Sequence, residues 1–143
     1  MTYAELLDLY FDRSNALQWY WTVYVVVLGG LLAFSSLRQG KDILTTVLVS
    51  VLYAAFAYKN LGAIRDVTEQ RFAILEALRE SANADVDVDV KPVRERIEPT
   101  LVGPADVDIR NFHVACDALT IATLWAMEFR RRRIAAREAA GRD

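Results

Sequence analysis

Residues 17–37 read LQWYWTVYVVVLGGLLAFSSL and hold no charged side chain. An α-helix needs about 20 apolar residues to cross the roughly 30 Å hydrocarbon core of a bilayer, and this segment has that length. Its first half holds four aromatic rings with polar tips: Trp19, Tyr20, Trp21 and Tyr24. Such rings are typical of the headgroup layer, so the segment predicts a transmembrane helix that enters the bilayer at its aromatic end.

A second apolar segment follows after a short turn at residues 38–41. We expect it to span the membrane from about Asp42 to Tyr58, with Tyr53 and Tyr58 near the far interface. So short a link between two spans forces an antiparallel pair of helices. Residues 17–59 are therefore predicted to form a transmembrane hairpin.

The segments on either side of the hairpin are amphipathic. Residues 1–16 place three acidic side chains on one helical face and apolar ones on the other, which favours a helix lying in the membrane interface. This start is too acidic for a cleavable secretory signal, so we expect it to be retained. Residues 60–108 are predicted to lie outside the membrane, as an amphipathic helix at 61–82 that needs a partner helix, followed by a loop with prolines.

A third apolar segment, from about Ile109 to Phe129, is less uniform. Four polar or charged residues interrupt it: Arg110, His113, Asp117 and Glu128. Its uninterrupted stretch is shorter than a full span, so the alternative is an interfacial or soluble helix packed on the loop. We expect it to cross the membrane as 109–130, followed by a basic tail at 131–143. The predicted fold is an all-α membrane bundle of three transmembrane helices, with an N-terminal interfacial helix and an amphipathic extramembrane helix.

The basic residues predict the orientation of these spans. Arg38 and Lys41 would share one membrane face with the arginines that follow the third span, and the positive-inside rule makes that face cytoplasmic. Nearly all basic residues are arginines, and the chain is rich in alanine and valine, which is typical of high-GC bacteria. We therefore predict a multi-pass protein of the bacterial inner membrane with a cytoplasmic C-terminus.

A polar stripe on the third helix is the main candidate for chemistry. Its members lie near one helical face: His113, Asp117, Thr120 and Glu128. A carboxylate at the centre of a span costs about 2.5–3.5 kcal/mol, so Asp117 needs the bundle interior, a wet cavity or a partner. Two interpretations stay open. The stripe either carries protons or ions in titrating steps, or Asp117 is a structural partner of His113 or Arg110.

Small residues recur at helical spacing on all three predicted spans, which favours close approach of helix backbones, within or between subunits. The predicted packing residues are Gly29 and Ala33, then Thr46, Ser50 and Ala54, and finally Ala118, Ala122 and Ala126. The run of four arginines after the third span predicts binding of anionic lipid headgroups, besides setting the topology. These arginines are Arg130, Arg131, Arg132 and Arg133.

Several functional classes find no support in the residues. Asp85 to Asp89 resembles the start of a calcium loop, but Val90 and Arg96 stand where glycine and glutamate are needed. The lone Cys116 excludes an intrachain disulfide and a cysteine-based zinc site. No aromatic platform accompanies the arginines, which argues against nucleic acid, and no catalytic or cofactor motif occurs.

Two hypotheses for function lead, and neither involves a metal, a cofactor or catalysis; a membrane-bound enzyme is a third and weaker alternative. In the first, a small homo-oligomer forms a pore or a path for ions or protons, lined partly by the third helix. In the second, the chain is a non-catalytic anchor or accessory subunit that holds a partner membrane protein through residues 60–108. They differ in whether the polar stripe faces the axis of an oligomer or a neighbouring helix.

Overall fold

The computed structural model describes residues 2–38, 40, 42–84, 95–101 and 106–141. Within these ranges the chain is helical and contains no β-strand, which confirms the all-α class. It forms three long helices, with a short 3-10 helix at Glu98–Thr100 before the last of them. The long helices are α1 (Tyr3–Leu37), α2 (Ile43–Ala84) and α3 (Asp106–Ala140).

Each long helix runs further than the predicted spans. Helix α1 continues without a break past residue 16, where an interfacial helix was predicted to end, because no proline or glycine interrupts it there. Helix α2 carries the second apolar segment and the amphipathic segment as one element. Helix α3 extends to Ala140 through a tail of alanine and arginine, which are good helix formers. Residues 85–94 and 102–105 of the predicted loop lie outside the described residues.

Asp42 determines where α2 begins. Its carboxylate accepts hydrogen bonds from the backbone N–H groups of Leu44 and Thr45, at 3.0 and 3.3 Å, and from the Thr45 hydroxyl. These bonds satisfy N–H groups that have no partner inside the first turn of a helix. The turn after α1 therefore ends in a capped helix start, as a tight hairpin requires.

Two of the helices are long and apolar enough to cross a membrane: Tyr3–Leu37 and Ile43–Ser81. Helix α3 does not reach the same hydropathy, because the polar residues of its stripe lower the average. Length and composition alone therefore leave open whether α3 spans the membrane. The distribution of its side chains between buried and exposed faces, described below, bears on that question.

The chain divides into two compact units, and each long helix contributes to both. Unit 1 comprises Met1–Trp21 and Gly62–Ile109. Two apolar clusters form its core, one built around Leu6, Tyr10, Leu75, Leu78 and Leu101, the other around Leu17, Ile64, Val67 and Ile109. The amphipathic part of α2 thus finds its partner helix in this chain, in the first residues of α1. Those residues bury their apolar face in the core of unit 1.

The hydroxyl of Tyr10 forms two hydrogen bonds at the edge of the core of unit 1. The Tyr10 hydroxyl donates to the carbonyl oxygen of Leu101 at 2.9 Å and accepts from Nη2 of Arg71 at 2.7 Å. The Arg71 guanidinium also lies 4.9 Å from the centre of the Tyr10 ring. This contact ties the segment after the 3-10 helix to α1 and α2.

Unit 2 comprises Thr22–Leu61 and Arg110–Asp143. Its interior is more polar than that of unit 1, because its most buried side chains include His113, Thr120 and Glu128. Its exposed surface carries large apolar side chains from all three helices: Val25, Val26, Phe34 and Leu37 on α1, Leu44, Leu48, Val51 and Leu52 on α2, and Phe112, Val114, Leu119 and Phe129 on α3.

Candidate functional site

The polar stripe of α3 faces inward in unit 2. The side chains of His113 and Glu128 are 0% exposed and that of Asp117 is 17% exposed, while Thr120 is also buried. The stripe meets side chains of α1 and α2 in two separate polar clusters. We call them the Asp117 cluster and the Glu128 cluster.

The Asp117 cluster joins all three helices through one carboxylate. Oδ1 of Asp117 accepts hydrogen bonds from the hydroxyl of Tyr24 on α1, at 2.9 Å, and from that of Tyr53 on α2, at 2.8 Å. Oδ2 lies 2.8 Å from Nδ1 of His113, one turn earlier on α3. The carboxylate is therefore held by three side chains at once.

The partner of His113 on α2 determines which ring nitrogen carries the proton. Nδ2 of Asn60 lies 3.3 Å from Nε2 of His113, and an amide nitrogen can only donate. Nε2 is then an acceptor, so Nδ1 carries the proton and donates to Asp117. The Tyr24 ring covers the imidazole, with the ring centres 4.2 Å apart. Hydrogen bonds thus run from Asn60 through the imidazole of His113 to Asp117.

The sequence did not point to Tyr24 and Tyr53 as partners of Asp117. Both were assigned to the headgroup belts, yet they are only 2% and 3% exposed and aim their hydroxyls into the bundle. The sequence nevertheless contained a feature that could have predicted the contact between Tyr53 and Asp117. Tyr53 lies five residues inside a charge-free segment, where its hydroxyl needs a partner, and Asp117 is the carboxylate that also needs one. Arg110, the other suggested partner, is exposed.

The Glu128 cluster places one carboxylate among three guanidinium groups. Oε2 of Glu128 lies 2.8 Å from Nη2 of Arg38 and 3.1 Å from Nη2 of Arg131, and Oε1 lies 3.0 Å from Nε of Arg132. The Thr46 hydroxyl is a weaker donor to Oε2 at 3.4 Å. The charges do not balance, because three cations surround one anion.

The same arginines also bind backbone and side-chain oxygens of α1 and α2. Nη2 of Arg38 donates to the carbonyl oxygen of Asp42 at 2.9 Å and to Thr46 Oγ1 at 3.0 Å. Nη1 of Arg131 donates to the carbonyl oxygen of Ser35 at 2.7 Å. The cluster therefore connects the end of α1, the start of α2 and α3. Arg38 was predicted only as an orientation signal.

No polar chain connects the two clusters through the described side chains. The Thr120 hydroxyl donates to the carbonyl oxygen of Cys116 at 2.8 Å and also contacts the hydroxyl of Tyr53, so it belongs to the Asp117 cluster. Leu124, only 2% exposed, lies between Thr120 and Glu128. Asp117 and Glu128 are 11 residues apart, or roughly 16 Å along the helix axis.

The arginine run divides into two pairs. Arg131 and Arg132 turn back to Glu128, whereas Arg130 and Arg133 are exposed. Helix geometry explains the division, because residues three and four positions after Glu128 share its face and the others do not. Two of the four predicted headgroup ligands are thus occupied within the bundle.

The predicted packing stripes lie mostly on the outside of unit 2. A Cβ added at Gly29 would meet no heavy atom within 4 Å, and Ser50 is half-buried with its hydroxyl on the carbonyl oxygen of Thr46. Thr46 is buried in the Glu128 cluster, and the alanines of the stripes are exposed: Ala33, Ala54, Ala118, Ala122 and Ala126. Within this chain the stripes make few helix contacts, so any close packing on them would be with another molecule.

The described residues contain no group of three histidine, cysteine, aspartate or glutamate side chains placed to hold a metal ion. Cys116 is a free, half-buried thiol. No family model matches the chain, and neither a curated protein nor a solved structure matches it.

Proposed function

We propose that the chain is a three-span protein of the bacterial inner membrane that acts as a non-catalytic anchor or accessory subunit of a membrane complex. One observation carries the proposal. In unit 2, helix α3 buries its histidine and carboxylates and exposes Phe112, Val114, Leu119 and Phe129. This is the reverse of what water favours, and it is what lipid favours, because apolar side chains can face acyl chains at no cost.

The Glu128 cluster supports the same arrangement for the third span. A span that is followed by four consecutive arginines would place strong repulsion at one membrane face. The carboxylate of Glu128 offsets part of it by binding two of those arginines together with Arg38 from the turn between α1 and α2. The cluster thus holds the end of α3 beside that turn, and the basic residues make this side cytoplasmic under the positive-inside rule.

The anchor interpretation is favoured over a pore by what the polar stripe faces. Its side chains point at α1 and α2 of the same chain and are bonded there, so they are not left to line the axis of an oligomer. Bonded polar groups in a span stabilise helix association by about 0.6 kcal/mol each on average. The exposed Gly29 and Ala33 leave room for a partner helix on the outer face.

A proton path within the bundle is the second candidate. The observation that favours it is the pair formed by His113 and Asp117, two titratable groups that lie 2.8 Å apart between the helices. The obstacle is Leu124, which separates this pair from Glu128. Such a path would need a rearrangement of the bundle near Leu124.

Topology is tested by labelling introduced cysteines in a Cys116→Ser background. Asp87→Cys should react with an impermeant maleimide from the outside of intact cells, and Ala140→Cys only after permeabilisation. An odd number of spans is needed to separate the two positions. Labelling of both positions from the same side would show that α3 does not span the membrane and would contradict the proposal.

Partner contact is tested at Gly29, where a new side chain meets nothing inside the chain. Gly29→Leu should leave thermal unfolding in detergent unchanged and reduce the mass of the complex purified in mild detergent. Val25→Leu, at another exposed site on α1, is the matched control and should leave that mass unchanged. A particle of one chain's mass before any substitution would contradict the accessory-subunit proposal.

Conduction is separated from anchoring by Asp117→Asn, which keeps the shape and removes the titratable group. Under the anchor proposal, wild-type vesicles show no proton or cation flux, and the variant loses thermal stability. Flux in wild-type vesicles that disappears in the variant, with folding and assembly retained, would establish the proton path instead.

A further inference from the structure

We propose that α3 carries a binding site for an anionic phospholipid at the point where it leaves the membrane, a proposal that rests on the third span inferred above. The site is an open trough of about 590 Å³, and its lining combines two chemistries: arginines at Arg130, Arg133 and Arg137, and apolar side chains at Ala126, Phe129 and Ile134. An amphiphile with an anionic headgroup matches both.

The side chains of these three arginines are available to bind a ligand. Their side chains form no ion pair or hydrogen bond with any of the residues that the structure describes, in contrast to Arg131 and Arg132. Spaced at i, i+3 and i+7, they lie within roughly 60° of one another around the helix. The Glu128 cluster next to them holds more arginines than carboxylates, so the local field also attracts an anion.

The order of these side chains along α3 matches the order of groups in a phospholipid. Ala126 and Phe129 precede Arg130, and both are exposed on the side that the apolar surface of unit 2 occupies. Arg133 lies roughly 4.5 Å beyond Arg130, within the thickness of a headgroup layer. If two guanidinium groups held the phosphate of a phospholipid, the acyl chains of that lipid would therefore lie beside Ala126, whose short side chain provides space.

This chemistry selects an anionic lipid over other ligands. Guanidinium groups bind phosphate oxygens in pairs, and a cluster of arginines just cytoplasmic of a span is typical of anionic headgroup recognition. A free phosphate would not need the apolar half of the trough. A second copy of the chain is disfavoured, since it would bring the same arginines to the contact and add like charge.

The test is a titration of the full chain in neutral detergent with phosphatidylglycerol or phosphatidylcholine, counting bound lipids by native mass spectrometry. We expect the anionic lipid to bind selectively. The triple variant Arg130→Gln, Arg133→Gln, Arg137→Gln should weaken that binding about hundredfold, since each cation near an anionic headgroup contributes about fivefold. The control replaces three exposed arginines elsewhere, Arg79→Gln, Arg96→Gln and Arg110→Gln, and should retain binding.

A second variant tests the apolar half of the trough. Ala126→Trp fills the space beside the arginines and should weaken phosphatidylglycerol binding, while leaving any weak binding of glycerol phosphate unchanged. If glycerol phosphate competes as well as the whole lipid, the site is for a free phosphate and the proposal is wrong. It is also wrong if both triple variants lose binding equally, or if the first triple variant dissociates an oligomer without affecting lipid.

Membrane insertion is measured separately, by retention of each variant in alkaline-washed membranes. Selective lipid binding by a chain that the wash removes would contradict the three-span proposal, and the arginines would then bind anionic lipid from outside the bilayer. Firm retention without lipid selectivity would contradict the lipid site alone. The two proposals can therefore fail independently.

Discussion

Unit 1 and unit 2 are built from the same three helices and bury opposite kinds of side chain. Unit 1 places leucine, isoleucine and valine in its core, and its exposed surface is rich in charged residues. Unit 2 buries a histidine, a glutamate and two tyrosines and exposes phenylalanine, leucine and valine. A helix therefore does not have one apolar face throughout its length. The kind of side chain that is buried differs between the two units, as it would if the surrounding medium differed.

The largest expected effect is in the Glu128 cluster. Glu128→Gln leaves three arginines without their carboxylate, and breaking a buried ion pair on one side typically costs about 3–5 kcal/mol. Unfolding in mixed micelles should show this loss in free energy, and Glu138→Gln, at an exposed site on the same helix, should show almost none. Equal stability of the two variants would mean that the interior of unit 2 does not depend on its charges.

The next prediction compares the same substitution in the two units. Leu78 is fully buried in unit 1, so Leu78→Ala removes core contacts and leaves a cavity, at a cost of about 2–5 kcal/mol. Leu119 is 70% exposed in unit 2, so Leu119→Ala should change unfolding in detergent by much less. A larger loss at Leu119 would show that the exposed face of α3 is covered by another molecule.

A third comparison introduces a charge on the exposed surface of each unit. Val51→Lys places an ammonium on the apolar surface of unit 2 and should cost about 2.5–3.5 kcal/mol of insertion free energy if that surface faces lipid. Val107→Lys makes the same change at an exposed position of unit 1 and should be tolerated. Insertion measured by glycosylation mapping gives both values. Equal insertion of the two variants would remove the distinction between the two surroundings.

The smallest expected effect concerns one hydrogen bond of the Asp117 cluster. Tyr53→Phe removes the hydroxyl that donates to Asp117 at 2.8 Å and should cost about 1 kcal/mol in the free energy of unfolding. Tyr58→Phe changes the same group at an exposed position of α2 and serves as the control. Were Tyr58→Phe to cost as much, the tyrosine hydroxyls would act through the detergent interface and not through Asp117.

The helical class and the apolar and amphipathic segments of α2 could be predicted from the sequence, because charge-free runs and helical periodicity are local patterns. The orientation of the α3 stripe toward other helices also follows from the cost of placing Asp117 in lipid. The identities of its partners do not. Asn60 and Arg38 lie 53 and 90 residues away from their partners His113 and Glu128, and nothing local marks them.

Aromatic residues show why such partners are missed. Tyr24 and Tyr53 satisfy the rule for headgroup belts, which depends only on their position near the end of an apolar run. The same amphipathic character suits a buried donor, and the choice between the two roles depends on which carboxylate lies opposite on a third helix. Which carboxylate lies opposite is a property of the tertiary structure and is not visible in the local sequence. Pairing each unsatisfied polar group in the spans with a complementary one is the sequence rule that would have found it.

The donors to Asp117 and His113 have a consequence for biogenesis. Under the three-span proposal, Tyr24, Tyr53 and Asn60 are synthesised before α3, so the hairpin would enter the membrane before the Asp117 and His113 side chains that these groups bind. When α3 then leaves the translocon, Asp117 and His113 would meet donors that are already in place, which would lower the cost of releasing a charged segment into lipid. A chain truncated before Asp106 would lack Asp117 and His113 as acceptors for these donors, and membrane quality-control proteases should remove it faster than the full chain.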